Sequence, residues 1–446
     1  MIPGLLKKSI LVGLSLFCLC SATPSDAAQQ SVPSAPVQDS AKHISSVTLS
    51  WPEIEGAVYY ELRITDESGK AVWQKYDIYA AGCQVNDSQI SFSPDLLWQV
   101  RGLNIDKVPV SDYTEPQPLM SDAVPFDKNR QAVDERGFTP RNYTAYISYT
   151  DSAEKPLQLT TSFGDMAYMP VYPVYSWVPV TDAATSVIDV FKGYDKINAQ
   201  PIASYKAKGT AMDYYDEKAY TAPGSYFFRI KAYDSAGHKI AQSVDSYFTV
   251  TDTAAVAALG DSITHGGGAV DTPPGSTLYN WETYSSVPVL NIGFSGNLTS
   301  DMLHRFDADV LPFQPRLLII MGGVNDIRTG ITAQTAIANL AAIRDKCTAH
   351  NIVPVFLTMT SVNPPKMKKV AGLDIAPGWQ DERRKLNDWI KTQDYYVDIN
   401  DGLVDSRGFL PDDMTTDGLH PDYEGKKQIG ELAGDYVRLN FAYLLN

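Results

Sequence analysis

Ala254-Ala255-Val256-Ala257-Ala258-Leu259-Gly260-Asp261-Ser262-Ile263-Thr264 is an apolar run that stops at a glycine and delivers a serine just beyond it. The run shows no polar alternation and is short for a helix, which marks a strand covered on both faces. Gly260 permits a tight turn out of that strand and so exposes the Ser262 side chain. Similar runs recur at Val287–Ile292, Leu317–Met321, Ile352–Leu357 and Tyr395–Ile399. Helix-like stretches lie among them, clearest at Thr332–His350 and Trp379–Lys391, and Glu424–Leu439 follows the last run. Strands alternating with helices predict βαβ units, and hence a three-layer α/β domain with a parallel sheet over residues 253–446.

Three further motifs share this region: Asn291-Ile292-Gly293-Phe294-Ser295-Gly296, Gly323-Val324-Asn325-Asp326 and Asp417-Gly418-Leu419-His420-Pro421. Ser262, Gly296 and Asn325 each follow a strand, and ligands of open parallel sheets bind outside the carboxyl ends of the strands. A serine hydroxyl needs an adjacent base to act as a nucleophile. His420 is the candidate base, and Asp417, three residues earlier on a turn or helix start, is the carboxylate that holds its tautomer. The N–H of Ser262, the N–H of Gly296 and the Asn325 amide are candidate oxyanion donors, a kind of contact worth about 2.7–4 kcal/mol in other enzymes. Each motif alone has a plainer reading. Asp-Ser after glycine is a common turn or helix cap, Gly296 a turn glycine, Asn325 a cap, and 417–421 a surface loop or a metal-binding pair. Against the metal stand the lack of HExxH or Cys-x-x-Cys and the single histidine in that segment. The ordered set, rather than any member, points to acyl transfer.

As a set, the segments resemble the four blocks of the SGNH (GDSL) hydrolase superfamily, and the resemblance spans roughly Ala254 to Leu439. It implies a flavodoxin-like domain and a serine esterase that needs no metal or organic cofactor. In that family Ser262 would be nucleophile and oxyanion donor, Gly296 and Asn325 the other donors, and Asp417 and His420 the remaining catalytic pair. One departure is a longer, glycine-rich loop from His265-Gly266-Gly267-Gly268 to Pro273-Pro274-Gly275, expected to shape the substrate entrance. Other hydrolase and nucleotide signatures fail: Gly293-Phe294-Ser295-Gly296-Asn297 misses the last glycine of G-x-S-x-G, and no P-loop or dinucleotide fingerprint is present. Candidate substrate-binding residues are His265, Tyr279, Trp281, Arg328 and Trp379. The aromatics suit stacking on sugar faces or, equally, core packing; Arg328 suits an anionic group or a solvated helix start. His304 and His350 fall on helix-like segments as surface residues.

Upstream the pattern has period two. Val47, Leu49 and Trp51 alternate with polar neighbours, as do Tyr60, Leu62 and Ile64, and Trp98 and Val100. The pattern echoes: Trp177, Ile188 and Val190 repeat Trp51, Leu62 and Ile64 at offsets of eleven and thirteen residues, and Phe228–Ala232 repeats Trp98–Gly102. These repeats resemble two fibronectin type III modules, β-sandwiches over residues 43–120 and within 121–252, the latter preceded by a linker. Residues 28–42, rich in Gln, Ser, Pro and Ala, read as a tether.

The first 27 residues read as a cleavable export signal: Lys7 and Lys8, an apolar stretch Ile10–Cys20 too short to span a bilayer, then Ser25-Asp26-Ala27. Phe17 and Leu19 before the two early cysteines disfavour a lipoprotein. Two cysteines then remain, Cys83 and Cys347, in different domains; each reads as a buried apolar residue, with no disulfide framework. A net charge of -15 with no basic run excludes a nucleic-acid partner. The expected protein is secreted, periplasmic or at the cell surface, without a transmembrane segment in the mature chain. It cleaves an acylated small molecule or polysaccharide, preferably an acetylated carbohydrate, with glycan or cell-surface contact through the β modules. A lysophospholipase-type acylhydrolase, and a binding protein with a vestigial hydrolase domain, are the alternatives.

Overall fold

The structure is a computed structural model that describes residues 43–120, 143–150, 155–161, 163, 166–194, 200–266 and 273–445. The export segment 1–27, the tether 28–42, the start of the 121–252 stretch and the middle of the glycine-rich loop lie outside the described residues.

Five parallel strands make the centre of the C-terminal domain: β1 (Val256–Gly260), β2 (Leu290–Gly293), β3 (Leu317–Met321), β4 (Val353–Leu357) and β5 (Tyr396–Val397). Their order is β2-β1-β3-β4-β5. Every residue of β1, β2 and β3 is buried, as their unbroken apolar sequences require. The helices are α1 (Ser262–His265), α2 (Thr299–Asp309), α3 (Val324–Thr329), α4 (Ala333–Ala349), α5 (Pro364–Ala371), α6 (Trp379–Ile390) and α7 (Tyr423–Phe441). This is a doubly wound sheet of flavodoxin-like order, and the chain reverses direction across the sheet between β2 and β3, on either side of β1. That reversal opens a crevice at the carboxyl end of β1, where Ser262 begins α1.

The N-terminal region is β-rich. One four-stranded sheet joins Ala71–Ile78, Tyr59–Thr65, Leu97–Leu103 and Gln117–Pro118. A three-stranded sheet joins Gly82–Asn86, Ile44–Ser50 and Thr144–Tyr149. The two sheets share a core that includes Leu49, Trp51, Leu62, Trp98, Val100 and Ile147. Thr144–Tyr149, which the sequence reading placed with the second unit, thus pairs with the first, opposite Ile44–Ser50. In the second unit Thr185–Lys192 and Gly224–Tyr233 pair antiparallel at the centre of a six-stranded sheet. Its Trp177, Ile188, Val190 and Phe228 are fully buried, in a core continuous with that of the C-terminal domain. Cys83 and Cys347 are buried and free, and His304 and His350 are exposed. Among the described residues no helix is long and apolar enough to cross a membrane.

Candidate active site

The carboxyl ends of β1, β2 and β3 carry the three strand-linked motifs, and the loop before α7 brings the fourth. Asp261 leaves β1 and caps α1, its Oδ1 accepting from the Ile263 N–H at 3.0 Å. Ser262 therefore sits at the first position of a four-residue helix, its side chain 8% exposed. His420 Nε2 lies 2.7 Å from Ser262 Oγ, and His420 Nδ1 lies 2.7 Å from Asp417 Oδ2. Asp417 Oδ1 also accepts from the N–H groups of Leu419 and His420 at 2.8 and 2.9 Å. Gly418, at φ +84°, turns the chain so that residues 417 and 420 face one another. Burial works to raise the Asp417 pKa, but the neighbouring imidazole and those N–H donors outweigh it and hold the carboxyl below its usual range. An ionised Asp417 accepting from Nδ1–H leaves Nε2 as the ring acceptor, free to take a proton from the Ser262 hydroxyl.

The second and third motifs meet beside this row. The Asn325 amide donates to the Asn297 carbonyl at 3.1 Å, which sets it next to Gly296. Asp326 accepts from the Thr299 N–H at 2.9 Å and the Thr299 hydroxyl at 2.6 Å, pinning the start of α2 and with it the 294–298 loop. Gly296 is exposed with φ +82°, a conformation costly for other residues, so its N–H is aimed by backbone shape. The same loop is fastened to the nucleophile turn. Phe294 N–H donates to the Gly260 carbonyl at 3.1 Å, and the Asn291 amide donates to the Thr264 carbonyl at 2.6 Å. Arg305 bridges both, reaching the Asn297 side chain at 2.6 Å and the Gly260 carbonyl at 2.9 Å.

Of the substrate-binding candidates, four are buried. His265 is 3% exposed: its Nδ1 accepts from the Ser295 N–H at 3.0 Å, and its Nε2 donates to the Tyr172 carbonyl at 2.8 Å. Burial pushes its pKa down to about 4, so it is a neutral clamp, not a sugar contact. Trp281 is fully buried, with its indole N–H 3.4 Å from Thr264 Oγ1, and Tyr279 is 2% exposed, its hydroxyl on the Ala57 carbonyl at 3.2 Å. Trp379 is buried beside Phe409, their rings 6.1 Å apart. Arg328 is half-buried, with Nη2 3.5 Å from Asn325 Oδ1. Sequence reasoning passed over Arg305, whose contacts with Asn297 and the Gly260 carbonyl lie outside its own helix, and Lys426, a lysine inside an apolar helical stripe. Lys426 was detectable by that spacing.

Residues 258–428 match the GDSL-like lipase/acylhydrolase family, a span that holds all four motifs. The C-terminal domain is an ester hydrolase similar to that family. No curated protein matches the chain. Solved structures similar to it include a GDSL-like lipase from Bacteroides thetaiotaomicron, 22% identical over 41% of this chain and 87% of that one, TM-score 0.34. A lipase/acylhydrolase from Enterococcus faecalis is 21% identical over 41% and 94%, TM-score 0.33. An acetylxylan esterase from Geobacillus stearothermophilus is 18% identical over 41% and 93%, TM-score 0.31.

Proposed function

We propose that this hydrolase works through an acyl-enzyme on Ser262, with His420 as general base, Asp417 as its orienting carboxylate, and Ser262, Gly296 and Asn325 as oxyanion donors. The observation that carries it is the unbroken pair of 2.7 Å contacts from Asp417 through His420 to Ser262 Oγ. His420 takes the hydroxyl proton as Oγ attacks the ester carbon. The carbonyl oxygen gains a negative charge, which in this reading the two N–H groups and the amide receive. Collapse releases the alcohol with the proton from His420, and water then repeats the sequence to free the acid. Asn325 spends one amide hydrogen on Asn297 and keeps the other for the oxyanion.

The substrate in this reading is a small acyl ester, preferably an acetyl group on a carbohydrate. The low exposure of Ser262 favours a short acyl chain, and an export signal at residues 1–27 with fibronectin type III-like modules over 43–120 and within 121–252 suits an extracellular glycan. Hydrolysis of p-nitrophenyl esters of increasing chain length, beside acetylated xylan and lysophospholipid, tests both parts. Ser262→Ala is expected to lower kcat on p-nitrophenyl acetate by about 1000-fold or more, and equal rates from both proteins would end the nucleophile assignment. Rates that climb steadily with acyl length would replace the carbohydrate ester with a lipid one.

A further inference from the structure

Lys426 lies directly beneath the nucleophile turn and has no part in the reaction as described. It is fully buried on α7, in the stripe formed by Tyr423, Ile429, Ala433 and Val437. Helical spacing asks for an apolar side chain there, and lysine is almost never fully buried unless it is paired. Its Nζ donates to the Ile263 carbonyl at 2.7 Å. The N–H of the same residue is held by Asp261 at 3.0 Å. The turn is thus gripped on both sides, and Ser262 is the residue between Asp261 and Ile263.

The acidic groups that face the ammonium come from three elements. Glu282 belongs to the 3-10 turn Trp281–Tyr284, which packs on α7 with the Trp281 carbonyl against Gly430. Asp261 follows β1, and Asp417 and Asp422 belong to the loop before α7. Glu282 is buried, and the Asn291 side chain is a neighbour that bears on its carboxyl. A buried lysine and a buried glutamate together are costly where an apolar pair of similar volume would fill the space, so packing alone gives no reason for them.

We propose that Lys426 is a positioning residue for Ser262: its ammonium pins the Ile263 carbonyl, fixing the hydroxyl and amide of the nucleophile turn. The inference rests on Ser262 being the nucleophile. A charge-assisted bond holds a carbonyl more firmly than a neutral amine does. Burial pushes the lysine down and the glutamate up, so the pair changes charge well below the ordinary lysine range. Loss of that proton slackens the turn and leaves the surrounding carboxylates without their counter-charge. Because Lys426 meets substrate nowhere, the effect falls on kcat and not on KM.

The test measures kcat and KM for p-nitrophenyl acetate from about pH 6 to about pH 9.5 in the wild type, Lys426→Met and Glu282→Gln. Lys426→Met is expected to lower kcat about 10-fold or more with KM within about twofold, and its profile is expected to lack the alkaline fall of the wild type. Glu282→Gln is expected to move that fall to lower pH by about 1 unit, because the anion that favours the protonated lysine is gone. A Glu282→Gln profile superimposed on the wild type, or a wild-type kcat in Lys426→Met, overturns the proposal. Should Lys426→Met fail to fold, the Glu282→Gln profile decides alone. Ser262→Ala separates the two layers: an inactive Ser262→Ala with an unmoved Glu282→Gln profile sinks only the positioning role, whereas an active one removes its foundation.

Discussion

Asp261 stands one residue before Ser262, 1% exposed, and does two opposed things. Its Oδ1 caps the nucleophile helix, which favours the fold. Its burial raises its pKa from 3.8 to about 6, which disfavours the charge. The raised value means that the native state holds a proton the unfolded chain has already released. The stability tied to this group is therefore complete below about pH 4 and lost as pH rises to about 6. Asparagine caps as well as aspartate and has no charge to bury, so Asp261→Asn is expected to be more stable than the wild type at pH 7, by about 2–3 kcal/mol. Chemical denaturation at pH 4 and at pH 7 checks this, and the gap between the two proteins should open between those values. A constant gap would show that the carboxylate is solvated or paired well enough to ionise freely. Residues of this kind were legible only in part. The sequence identified Ser262, Gly296, Asn325, Asp417 and His420 by motif, because each stands in a short local pattern. It left Tyr279, Trp281 and Trp379 open between cleft and core, because an aromatic side chain reads the same in either place, and the structure buries all three.

His265 raises the matter to the level of elements, since it ties three together: α1, the loop after β2, and the β-rich segment around Tyr172. Its displacement from 6.5 down to about 4 runs opposite in sign to that of Asp261. The unfolded chain takes up a proton that the buried ring refuses, so this group's stability is present above pH 6.5 and lost as pH falls toward 4. His265→Gln can keep at most part of the clamp. It is expected to be less stable at pH 7 by about 1–3 kcal/mol, and to lack the wild-type decline between pH 6.5 and 4. Thermal unfolding across that range reads both effects, and a wild-type slope in the variant would assign the decline to other groups. The elements themselves were largely readable. α4 at Ala333–Ala349 and α6 at Trp379–Ile390 lie within one residue of the stretches read from periodicity, and β3 at Leu317–Met321 coincides with its apolar run. α5 was passed over because it opens on Pro364 and Pro365, which punctuate a sequence although proline is welcome in a first helical turn. The partner of Thr144–Tyr149 was unreadable for a different reason. Alternation in a strand records which face is covered, but not which strand lies alongside.

Across the whole molecule, the β-rich region is built into the catalytic domain. Tyr172 lends its carbonyl to His265 at 2.8 Å and its hydroxyl to Asp309 at 2.7 Å, and its ring packs edge-on to Phe294 at 4.7 Å. Val171 N–H donates to the Asn291 carbonyl at 3.0 Å, beside the end of β2. The first β unit also reaches the catalytic domain, where Ser276 Oγ donates to Glu53 at 2.7 Å. One continuous core runs from Leu157, Tyr175 and Trp177 in the second β unit to Ile292 and Phe306 in the hydrolase. An independent module joined by a tether would show a boundary of few contacts and a polar interface; this boundary is apolar and lies against the two loops that carry Ser262 and Gly296. A chain beginning at residue 253 is therefore expected to expose apolar surface, to aggregate, and to lose most of its activity even on soluble p-nitrophenyl acetate. Calorimetry of the full chain should show the second β unit and the hydrolase unfolding in one transition, because elements that share a core melt together. If the isolated 253–446 chain instead keeps the wild-type kcat and a sharp transition of its own, the β-rich region is an appendage, and Tyr172 merely rests on a site already complete.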